Sequence, residues 1–503
     1  MITLSLAQIA EATGGILAGG ADPNAHITSS VEFDSRKLTP GSLFVALPGQ
    51  RVDGHDFAAA AMEAGAVAVL AAREVDAPAV IVPKTDVPAS NADAFAMAGE
   101  KANDMAAVLA GMGDLARYVI DRCVDEHGLT VVGVTGSAGK TSTKDLMATV
   151  LSSAGTTVAP PGSFNNEIGH PYTALRCSED TKFLVAEMSA RGIGHIAHLA
   201  QIAPPRIGVV LNVGTAHLGE FGSRENIAQA KGELVESLPA DGLAVLNADD
   251  DFVRNMASRT KARVVFTSVK TRADLYATNI RLDEVARASF TMRIKGDPVS
   301  YPVKLQVFGE HQVSNALAAA AVGLEAGLKA MDVAKALSNH RTASANRMDV
   351  QTRADGVTII NDSYNANPDS MKAGIAALSY TAHGRTGVSS WAVLGQMGEL
   401  GENAIAEHEA LAAELVKMRV DRLVVVGVDV NSHALATSAE QQGITTLTVD
   451  SADAAINAVD RELKPGDVVL VKASNAAGLW RVAEGLLGKQ GSGQQGTESG
   501  AAN

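Results

Sequence analysis

The sequence has few aromatic residues, little cysteine and no excess of positive charge. Aromatic residues make up 4% of the 503 positions, too few for the stacking platforms that bind single-stranded nucleic acid. The formal net charge of −14 also argues against a nucleic-acid partner, which usually requires a basic face. The two cysteines, Cys123 and Cys177, form no CxxC pair, which excludes a disulfide framework and a thiolate zinc site.

Long apolar runs are missing as well. No uninterrupted run approaches the ~20 residues that a membrane-spanning helix needs. The first seven residues carry no basic charge and Glu11 interrupts the segment early, so we predict no secretory signal. These absences predict a cytoplasmic protein that spans no membrane and binds no nucleic acid.

The chain does contain a repeated pattern of short apolar runs and helical segments. At ~150 residues per domain, its length predicts about three domains, and buried runs that alternate with helices are typical of parallel sheets covered on both faces. We predict an α/β protein with a small α/β N-terminal domain, a central P-loop-type domain on a mostly parallel sheet, and a Rossmann-like, doubly wound C-terminal domain. The predicted boundaries are 1–127 (with a connector at about 86–127), 128–345 and 346–488, followed by a disordered tail at 489–503. Residues 275 to 308 alternate apolar and polar positions, which predicts an antiparallel insertion.

A phosphate-binding loop is predicted directly after the apolar run 129–134. Its glycines allow backbone N–H groups to surround phosphate oxygens, while a lysine supplies positive charge and a threonine hydroxyl can bind Mg²⁺. A helix predicted from Thr143 to Ser153 would direct its positive end at the anion. The standard first glycine is Val134 here, but the strand, the helix and the Gly-Lys-Thr core disfavour a chance glycine-rich turn. The loop residues are Thr135, Gly136, Ser137, Ala138, Gly139, Lys140 and Thr141.

A dense polar segment at 361–368 predicts a second ligand-binding loop. The apolar run 357–360 is typical of a buried strand, and Pro368 suits the first turn of a following helix. A structural turn needs one or two Asn or Asp residues, whereas this segment has five polar side chains and a tyrosine. Open α/β sheets bind ligands at such strand-to-helix junctions.

Three further polar residues follow or flank predicted strands of the central domain. Glu187 ends the run 183–187, His217 follows a strand, and Lys231 lies in a helical segment. Taken singly, a surface glutamate, a structural histidine and a solvated lysine are the better interpretations. Their joint placement beside the phosphate-binding loop favours a metal-nucleotide site instead. In the N-terminal domain, segments 33–36 and 48–55 are equally consistent with anion binding and with ordinary loops.

Together these segments resemble the Mur ligases, which are ATP-dependent amide-bond-forming enzymes of peptidoglycan synthesis. The resemblance extends from Asp34 to about Leu487. It rests on the following motifs: Asp34-Ser35-Arg36, the TGSxGKT loop, 164–169 (FNNEIG), Glu187, 216–218 (AHL), 230–233 (AKGE), 309–311 (GEH) with Asn315, Arg347, and 362–368 (DSYNANP). The last motif resembles the branch that adds a dipeptide, and the DNPR motif of the diaminopimelate-adding branch does not occur.

The resemblance implies a ligase that joins D-alanyl-D-alanine to UDP-N-acetylmuramoyl-tripeptide, with lysine or diaminopimelate as third residue, through an acyl phosphate. It implies ATP and two Mg²⁺ ions as cofactors and small molecules as partners, and we expect a monomer. The implied triphosphate site is Thr135 to Thr141. The implied metal ligands are Thr141 and Glu187 for one ion and His217 and a carbamylated Lys231 for the other.

The resemblance also implies roles in nucleotide and substrate binding. Asn315 would contact the nucleotide, Arg347 its outer phosphates and Asp362 the ribose. The implied catalytic residues are Lys140, His217, Lys231 and Arg347. The implied substrate-binding residues are Asp34, Ser35, Arg36, Asn165 and Asn166.

Two motifs depart from the family pattern, and other functions stay open. Family members often carry LGDM and KGSR where this chain has Gln396 and Asn475, so no contact to the dipeptide is assigned. Within the family, a ligase for another amino acid or a folylpolyglutamate synthase is the alternative. Outside it, a P-loop NTPase acting as a switch or nucleic-acid motor is disfavoured by the acidic charge and the 362–368 motif. An inactive binding module is disfavoured by the intact Lys140, Glu187 and Lys231.

Overall fold

A computed structural model describes residues 1–49, 52–85, 100–214, 218–284, 286–341 and 344–488. His217, the first part of the predicted connector and the predicted tail 489–503 lie outside these ranges. Within them, no helix combines the length and apolarity that a membrane crossing requires.

The N-terminal segment is built on a small mixed sheet. In the described residues its strands lie in the order β2-β7-β6-β5-β4, and β1 pairs separately with β3. Ser5 caps the first helix in a reciprocal capping box with Gln8, and Gly14 ends it at φ +60°. The elements are β1 (Leu4–Ser5), α1 (Leu6–Thr13), β2 (Ile16–Ala18), β3 (His26–Ile27), β4 (Val31–Glu32), β5 (Ser42–Val45), α2 (Ala58–Glu63), β6 (Ala66–Ala71), β7 (Ala79–Ile81) and α3 (Glu100–His127).

The helix predicted around Leu115 is confirmed, and as α3 it is 28 residues long. Its apolar stripe includes Met112, Leu115 and Val119, all fully buried in one core with residues of the first and second sheets. The segment predicted as a connector is therefore also a packing element between these two sheets.

A buried polar network fixes the turn before α2. The Asp53 carboxylate accepts hydrogen bonds from the His55 backbone N–H at 3.0 Å and the His55 ring Nδ1 at 2.8 Å. It also accepts one from the Arg73 guanidinium at 3.0 Å, and His55 Nε2 accepts the Ala72 N–H at 3.0 Å. Burial raises the pKa of Asp53, but the bonds from His55 and Arg73 outweigh it and lower that pKa to about 2.

We expect Asp53→Asn to destabilise the protein at pH 7 but not near pH 2. A carboxyl whose folded-state pKa lies below its unfolded value contributes stability above the unfolded value, and that contribution disappears as the pH falls through the folded one. After allowance for solvent around Arg73, the expected loss of unfolding free energy is about 1–2 kcal/mol. Each kcal/mol corresponds to roughly 2–4 °C in the thermal midpoint of a domain of this size. Thermal unfolding at pH 7 and pH 2 measures it, with the exposed Asp56→Asn as control. Equal losses at both pH values would contradict the prediction.

The central segment contains the largest sheet of the described residues, in the order β16-β15-β14-β13-β12-β11-β8-β10-β9. Its strands run parallel from β9 to β14, and β14 to β16 pair antiparallel, which confirms the prediction for residues 275 to 308. The elements are β8 (Thr130–Thr135), α4 (Lys140–Leu151), β9 (Thr157–Val158), α5 (Gly169–Ala174), β10 (Phe183–Glu187), α6 (His195–Ile202), β11 (Ile207–Val210), α7 (Leu218–Phe221), α8 (Arg224–Glu236), β12 (Leu243–Asn247), α9 (Asp251–Asn255), β13 (Arg263–Ser268), β14 (Leu275–Leu282), β15 (Arg287–Ile294), β16 (Tyr301–Phe308), α10 (Gln312–Glu325) and α11 (Ala330–Asn339).

Both faces of this sheet are covered, as the continuous apolar strands predict. Val131 of β8 packs in the core that includes α3, α6 and α8, whereas Val132 and Val134 pack in the opposite core with α4, α10 and α11. The carboxyl ends of β11, β8 and β10 are consequently neighbours at one edge of the sheet.

The C-terminal segment forms a sheet in the order β17-β18-β22-β19-β20-β21 within the described residues. Only the β17–β18 pair is antiparallel there, and separate apolar cores cover the two faces. The α/β class with mostly parallel sheets is therefore confirmed. The elements are β17 (Asp349–Thr352), β18 (Thr358–Asn361), α12 (Pro368–His383), β19 (Ser390–Leu394), α13 (Ala404–Lys417), β20 (Arg422–Val426), α14 (Val430–Gln441), β21 (Thr445–Val449), α15 (Ala452–Glu462), β22 (Val468–Lys472) and α16 (Trp480–Leu486).

Candidate active site

The phosphate-binding loop connects β8 to α4 at the carboxyl edge of the central sheet. The predicted helix start at Thr143 is wrong by one turn, because α4 begins at Lys140. Gly139 has φ +84°, a left-handed conformation that lets the chain enter the helix at once. Lys140 and Thr141 therefore lie in the first helical turn, where backbone N–H groups lack helical partners and attract anions.

Neighbouring residues fix the shape of this loop. The Asn212 side chain accepts the Ala138 N–H at 2.9 Å and donates to the Ala138 carbonyl at 3.0 Å. The Ser137 hydroxyl accepts the Gly214 N–H at 2.9 Å. The loop is thus held in position by the end of β11, and Asn212 is a supporting residue that the sequence motif did not reveal.

Lys140 folds back over the loop. Its ammonium donates to the Gly136 carbonyl at 2.6 Å. Burial lowers the pKa of Lys140, and the nearby Glu187 carboxylate opposes that effect while Arg347 adds to it. Lys140, Glu187 and Arg347, which are far apart in sequence, therefore share one electrostatic environment.

Glu187 ends β10 directly beside Val134 of β8 in the strand register. Its side chain is fully buried, so the surface interpretation of this residue is wrong. One carboxylate oxygen accepts the Ser163 hydroxyl at 3.2 Å and the Asn165 amide at 3.3 Å. The other oxygen is buried and has no hydrogen-bond partner among the residues that the structure describes. A buried, unpaired carboxylate oxygen next to a phosphate-binding loop suits a bound cation.

Lys231 lies on α8 with 3% exposure, so the solvated interpretation is wrong too. Burial lowers the pKa of Lys231 well below its ordinary value, and the charge of Lys140 lowers it further. Among the described residues, no group of three His, Cys, Asp or Glu side chains could hold a metal. His217, the other predicted ligand, lies outside the described ranges.

Glu233, two residues after Lys231, anchors α8 to a neighbouring helix. Its carboxylate is 6% exposed and accepts the Gly194 N–H at 2.6 Å and the Ala197 N–H at 3.0 Å. These donors lie at the start of α6, whose capping residue Gly194 has no side chain to satisfy them. Glu233 therefore sets the position of the helix that carries Lys231.

We expect Glu233→Gln to lower stability by about 1–2 kcal/mol, because a charged acceptor at a helix N-terminus is replaced by a neutral one. The weaker contact should also let α8, which carries Lys231, shift from its position. This shift should reduce the turnover number several-fold. Thermal unfolding and initial rates measure both effects, with the exposed Glu225→Gln of the same helix as control. Wild-type stability and turnover in Glu233→Gln would contradict this role.

The C-terminal segment brings Arg347 and Asp362 to the same site. The Arg347 guanidinium lies 4.0 Å from the centroid of the Tyr364 ring, and its buried Nε has no hydrogen-bond partner in the described part of the chain. Asp362 accepts the Met348 N–H at 3.1 Å and pairs with Lys472 at 2.6 Å. Lys472 is only 1% exposed. Its position at the end of the apolar strand β22 is the sequence signal that could have identified it.

Asn315 of α10 lies against the phosphate-binding loop. Its amide donates to the Gln312 side chain at 2.9 Å. A Cβ atom added at Gly139 would lie 2.9 Å from Asn315 Oδ1, so a larger residue at 139 would displace it. The loop and Asn315 consequently form one surface, which borders a cleft lined by Ser142, Asp145, Val307, Gln312, His340, Arg347 and Met348.

The first segment, which contains three of the predicted substrate residues, contacts the central segment through Tyr172. Its hydroxyl donates to Glu32 at 2.9 Å, and its ring lies 4.9 Å from that of Phe33 and 5.7 Å from that of Phe164. Phe164 immediately precedes Asn165. In the first segment, Phe33 is followed by Asp34, Ser35 and Arg36. These residues form a short turn in which the Asp34 carboxylate pairs with the exposed Arg36 guanidinium at 2.9 Å. Asn166 is exposed and its side chain accepts the Gly169 N–H at 2.9 Å.

Comparison with known families gives three matches along the chain. The Mur ligase family catalytic domain matches residues 28–117, the Mur ligase middle domain matches 134–323, and the Mur ligase glutamate ligase domain matches 346–475. Together these matches cover most of the chain.

Individual relatives match over nearly the whole chain. It is 52% identical to UDP-N-acetylmuramoyl-tripeptide–D-alanyl-D-alanine ligase of Mycobacterium tuberculosis (strain ATCC 25618 / H37Rv), over 97% of this chain and 98% of that protein. The enzyme of that name from Escherichia coli (strain K12) is 34% identical, over 92% of this chain and 99% of that protein. Among solved structures, MurF from Acinetobacter baumannii has a TM-score of 0.81 at 27% identity, covering 97% of this chain and 99% of that one. The MurF ligase from Thermotoga maritima in complex with ADP has a TM-score of 0.75 at 29% identity, covering 92% of this chain and 98% of that one.

Proposed function

Because the chain belongs to the Mur ligase family, we propose that it joins D-alanyl-D-alanine to UDP-N-acetylmuramoyl-tripeptide at the expense of ATP, in peptidoglycan precursor synthesis. The observation that carries this proposal is the 52% identity to a ligase of that name along almost the entire chain. The 362–368 motif, which follows β18 and precedes α12 beside Arg347, supports the same branch of the family.

In the proposed reaction, a terminal carboxylate oxygen of the UDP-tripeptide attacks the γ-phosphorus of ATP, the bond to the β–γ bridging oxygen breaks, and an acyl phosphate forms with ADP as the leaving group. The amine of the dipeptide then attacks the acyl carbon, an amide forms, and inorganic phosphate leaves with a proton lost from the amine. Two anions must approach each other in the first step, so the site needs positive charge. Lys140 and Arg347, which influence the same electrostatic environment, supply it.

The roles of individual residues follow from their positions. The backbone N–H groups of 135–141 and the start of α4 would bind the triphosphate. Asn315 would contact the nucleoside, with Asp362 kept in place by Lys472 for the ribose. Asn165, Asn166 and the turn at 34–36 would bind the UDP-sugar, since Tyr172 joins these two regions.

The donor set fits Mg²⁺. Glu187 has one buried oxygen free of hydrogen bonds, and Thr141 offers a buried hydroxyl in the first turn of α4. Bound there, Mg²⁺ would neutralise charge on the phosphate oxygens. These residues would hold one ion, and Lys231 with His217 would hold a second.

Lys231 would serve as a ligand after carbamylation. Its amine attacks CO₂, a C–N bond forms and one proton is released, which converts a cation into a carboxylate-like ligand. The reaction needs the neutral amine, and the lowered pKa of Lys231 favours that form at neutral pH. Burial of an unmodified lysine that has no acidic partner within the described ranges would otherwise be costly.

The partners in this proposal are small molecules, and we propose that the protein acts as a monomer in the cytoplasm, where nucleotide-linked precursors and ATP occur. A P-loop switch or motor would instead bind a macromolecule. The net charge of −14 supports the small-molecule function.

Product mass tests the proposal. The protein is mixed with ATP, Mg²⁺ and D-alanyl-D-alanine, and with a UDP-tripeptide that ends in either lysine or diaminopimelate. We expect a product heavier by the dipeptide less one water, with phosphate release only when both substrates are present. Omission of each substrate and replacement of the dipeptide by single amino acids are the controls. Phosphate release that responds to nucleic acid, or ligation of another amino acid, would contradict the proposal.

A further inference from the structure

Two oppositely charged side chains that the proposed chemistry does not use lie buried in α4. Lys144 is 2% exposed and Asp145 is 8% exposed, with 2.5 Å between the ammonium and one carboxylate oxygen. Lys144 follows Lys140 by one helical turn and lies on about the same side of the helix. A buried ion pair seldom adds net stability, because desolvation offsets the attraction. The position of this pair suggests another role.

Lys144 holds the loop that reaches Glu187. Its ammonium donates to the Pro160 carbonyl at 2.8 Å and to the Gly162 carbonyl at 3.3 Å. The buried ammonium thus has two carbonyl acceptors and the Asp145 carboxylate as its ion-pair partner. The next residue, Ser163, donates to Glu187. We refer to residues 160–166 as the Glu187 loop.

Asp145 holds the segment that leads into the C-terminal sheet. Its second carboxylate oxygen accepts the hydroxyl of Ser344 at 2.7 Å, and Ser344 is 6% exposed. One turn further along α4, Thr149 forms a second contact with this part of the chain through the His340 ring at 2.7 Å. Arg347 follows three residues after Ser344, so Asp145 fixes the origin of the segment that carries it. We refer to residues 344–348 as the Arg347 segment.

We propose that Lys144 and Asp145 are positioning residues that couple the Arg347 segment to the Glu187 loop. The proposal rests on the function proposed above. The Arg347 segment carries the guanidinium that is proposed to contact the outer phosphates, so nucleotide at the phosphate-binding loop contacts the segment that Ser344 and Asp145 hold in place. The Glu187 loop contains Asn165, one of the residues proposed to bind the UDP-sugar. Its Phe164 contacts the Tyr172 ring, and the Tyr172 hydroxyl donates to Glu32 of the first domain, where the UDP-sugar is also proposed to bind.

The coupling follows from the hydrogen bonds that join this buried ion pair to both ends, the Arg347 segment and the Glu187 loop. Displacement of either end would remove a hydrogen bond from a buried charged group, which is unfavourable. The two ends therefore do not move independently, and nucleotide that orders the Arg347 segment also orders the Glu187 loop. Binding of the nucleotide should consequently tighten binding of the UDP-tripeptide, and the reverse by the same factor.

Calorimetry of the wild-type protein and of Ser344→Ala tests this coupling. The affinity for UDP-N-acetylmuramoyl-tripeptide is measured with and without a non-hydrolysable ATP analogue. We expect the analogue to tighten binding by about 5- to 150-fold in the wild-type protein. Loss of the single hydroxyl hydrogen bond in Ser344→Ala should reduce that factor about fivefold. Ser152→Ala is the matched control, because that hydroxyl is on the same helix and donates only to Ala148 at 2.7 Å.

A double variant, Lys144→Met with Asp145→Asn, removes both charges without leaving one unpaired. We expect it to fold and to bind the ATP analogue as the wild-type protein does, with a coupling factor near one. Hydrogen exchange of the Glu187 loop gives a readout independent of activity, since the analogue should slow it in the wild-type protein and in Ser152→Ala but not in the double variant.

The proposal is overturned if Ser344→Ala and the double variant keep the wild-type coupling factor, or if that factor is one in the wild-type protein. A wild-type protein that binds the nucleotide but makes no product with any UDP-tripeptide would contradict the proposed function instead, and remove the premise of this proposal with it.

Discussion

Lys140→Ala should lower the ligation rate on the order of 10²-fold or more, with a much smaller effect on ATP binding. The backbone donors of the phosphate-binding loop remain in this variant, so the bound triphosphate keeps most of its contacts. The lysine charge matters most as the γ-phosphoryl group moves and negative charge redistributes. Because burial lowers the pKa of Lys140 and Glu187 opposes that effect, the charged form depends on its neighbours.

Single-turnover kinetics with the UDP-tripeptide, together with calorimetry for an ATP analogue, separates these two effects. Lys329→Ala, an exposed lysine of the same domain, is the control and should behave as the wild-type protein does. Lys140→Arg keeps the charge but changes its geometry, so an intermediate rate is expected. Near-normal ligation by Lys140→Ala would refute the assignment of the phosphate site.

Lys231→Ala should be nearly inactive, with a loss on the order of 10²-fold or more, because it removes the carbamate oxygen that is proposed to bind the second metal ion. Short carboxylates such as acetate or formate should restore part of the activity, since they can occupy the space of the missing carbamate. The exposed Lys261→Ala is the control and should show neither effect.

The pH dependence gives a second test of the same residue. The pKa of Lys231 is lowered, so the neutral amine that reacts with CO₂ predominates above that lowered value and is lost as the pH falls below it. Activity of the wild-type protein should fall below neutral pH, recover with added bicarbonate near neutrality, and decline after CO₂ is removed. Intact mass of active enzyme under non-acidic conditions, showing an unmodified Lys231, would rule out the carbamate.

The candidate site could be located from the sequence, but its internal contacts could not. The segments 135–141 and 361–368 are recognisable because glycine conformation, helix starts and polar loops depend on residues close in sequence. The interpretation of single residues was less successful. Glu187 and Lys231 resemble surface residues when considered alone, yet both are buried, because the helices and strands around them pack over their side chains.

The contacts missed by sequence analysis join residues that are distant along the chain. Lys472 meets Asp362 across 110 positions, and Ser344 meets Asp145 across 199. No local pattern records such pairs. Glu233 was part of a motif, but its hydrogen bonds to the start of α6 depend on the packing of two helices.

The sequence by itself determined the class of fold, the position of the phosphate-binding loop and the family, because apolar periodicity and short motifs are properties of consecutive residues. The tertiary structure decided which charges are buried and which of them pair. Those features arise when strands from separate segments align their carboxyl ends at one edge of a sheet, and burial then changes the energetics of each charged group.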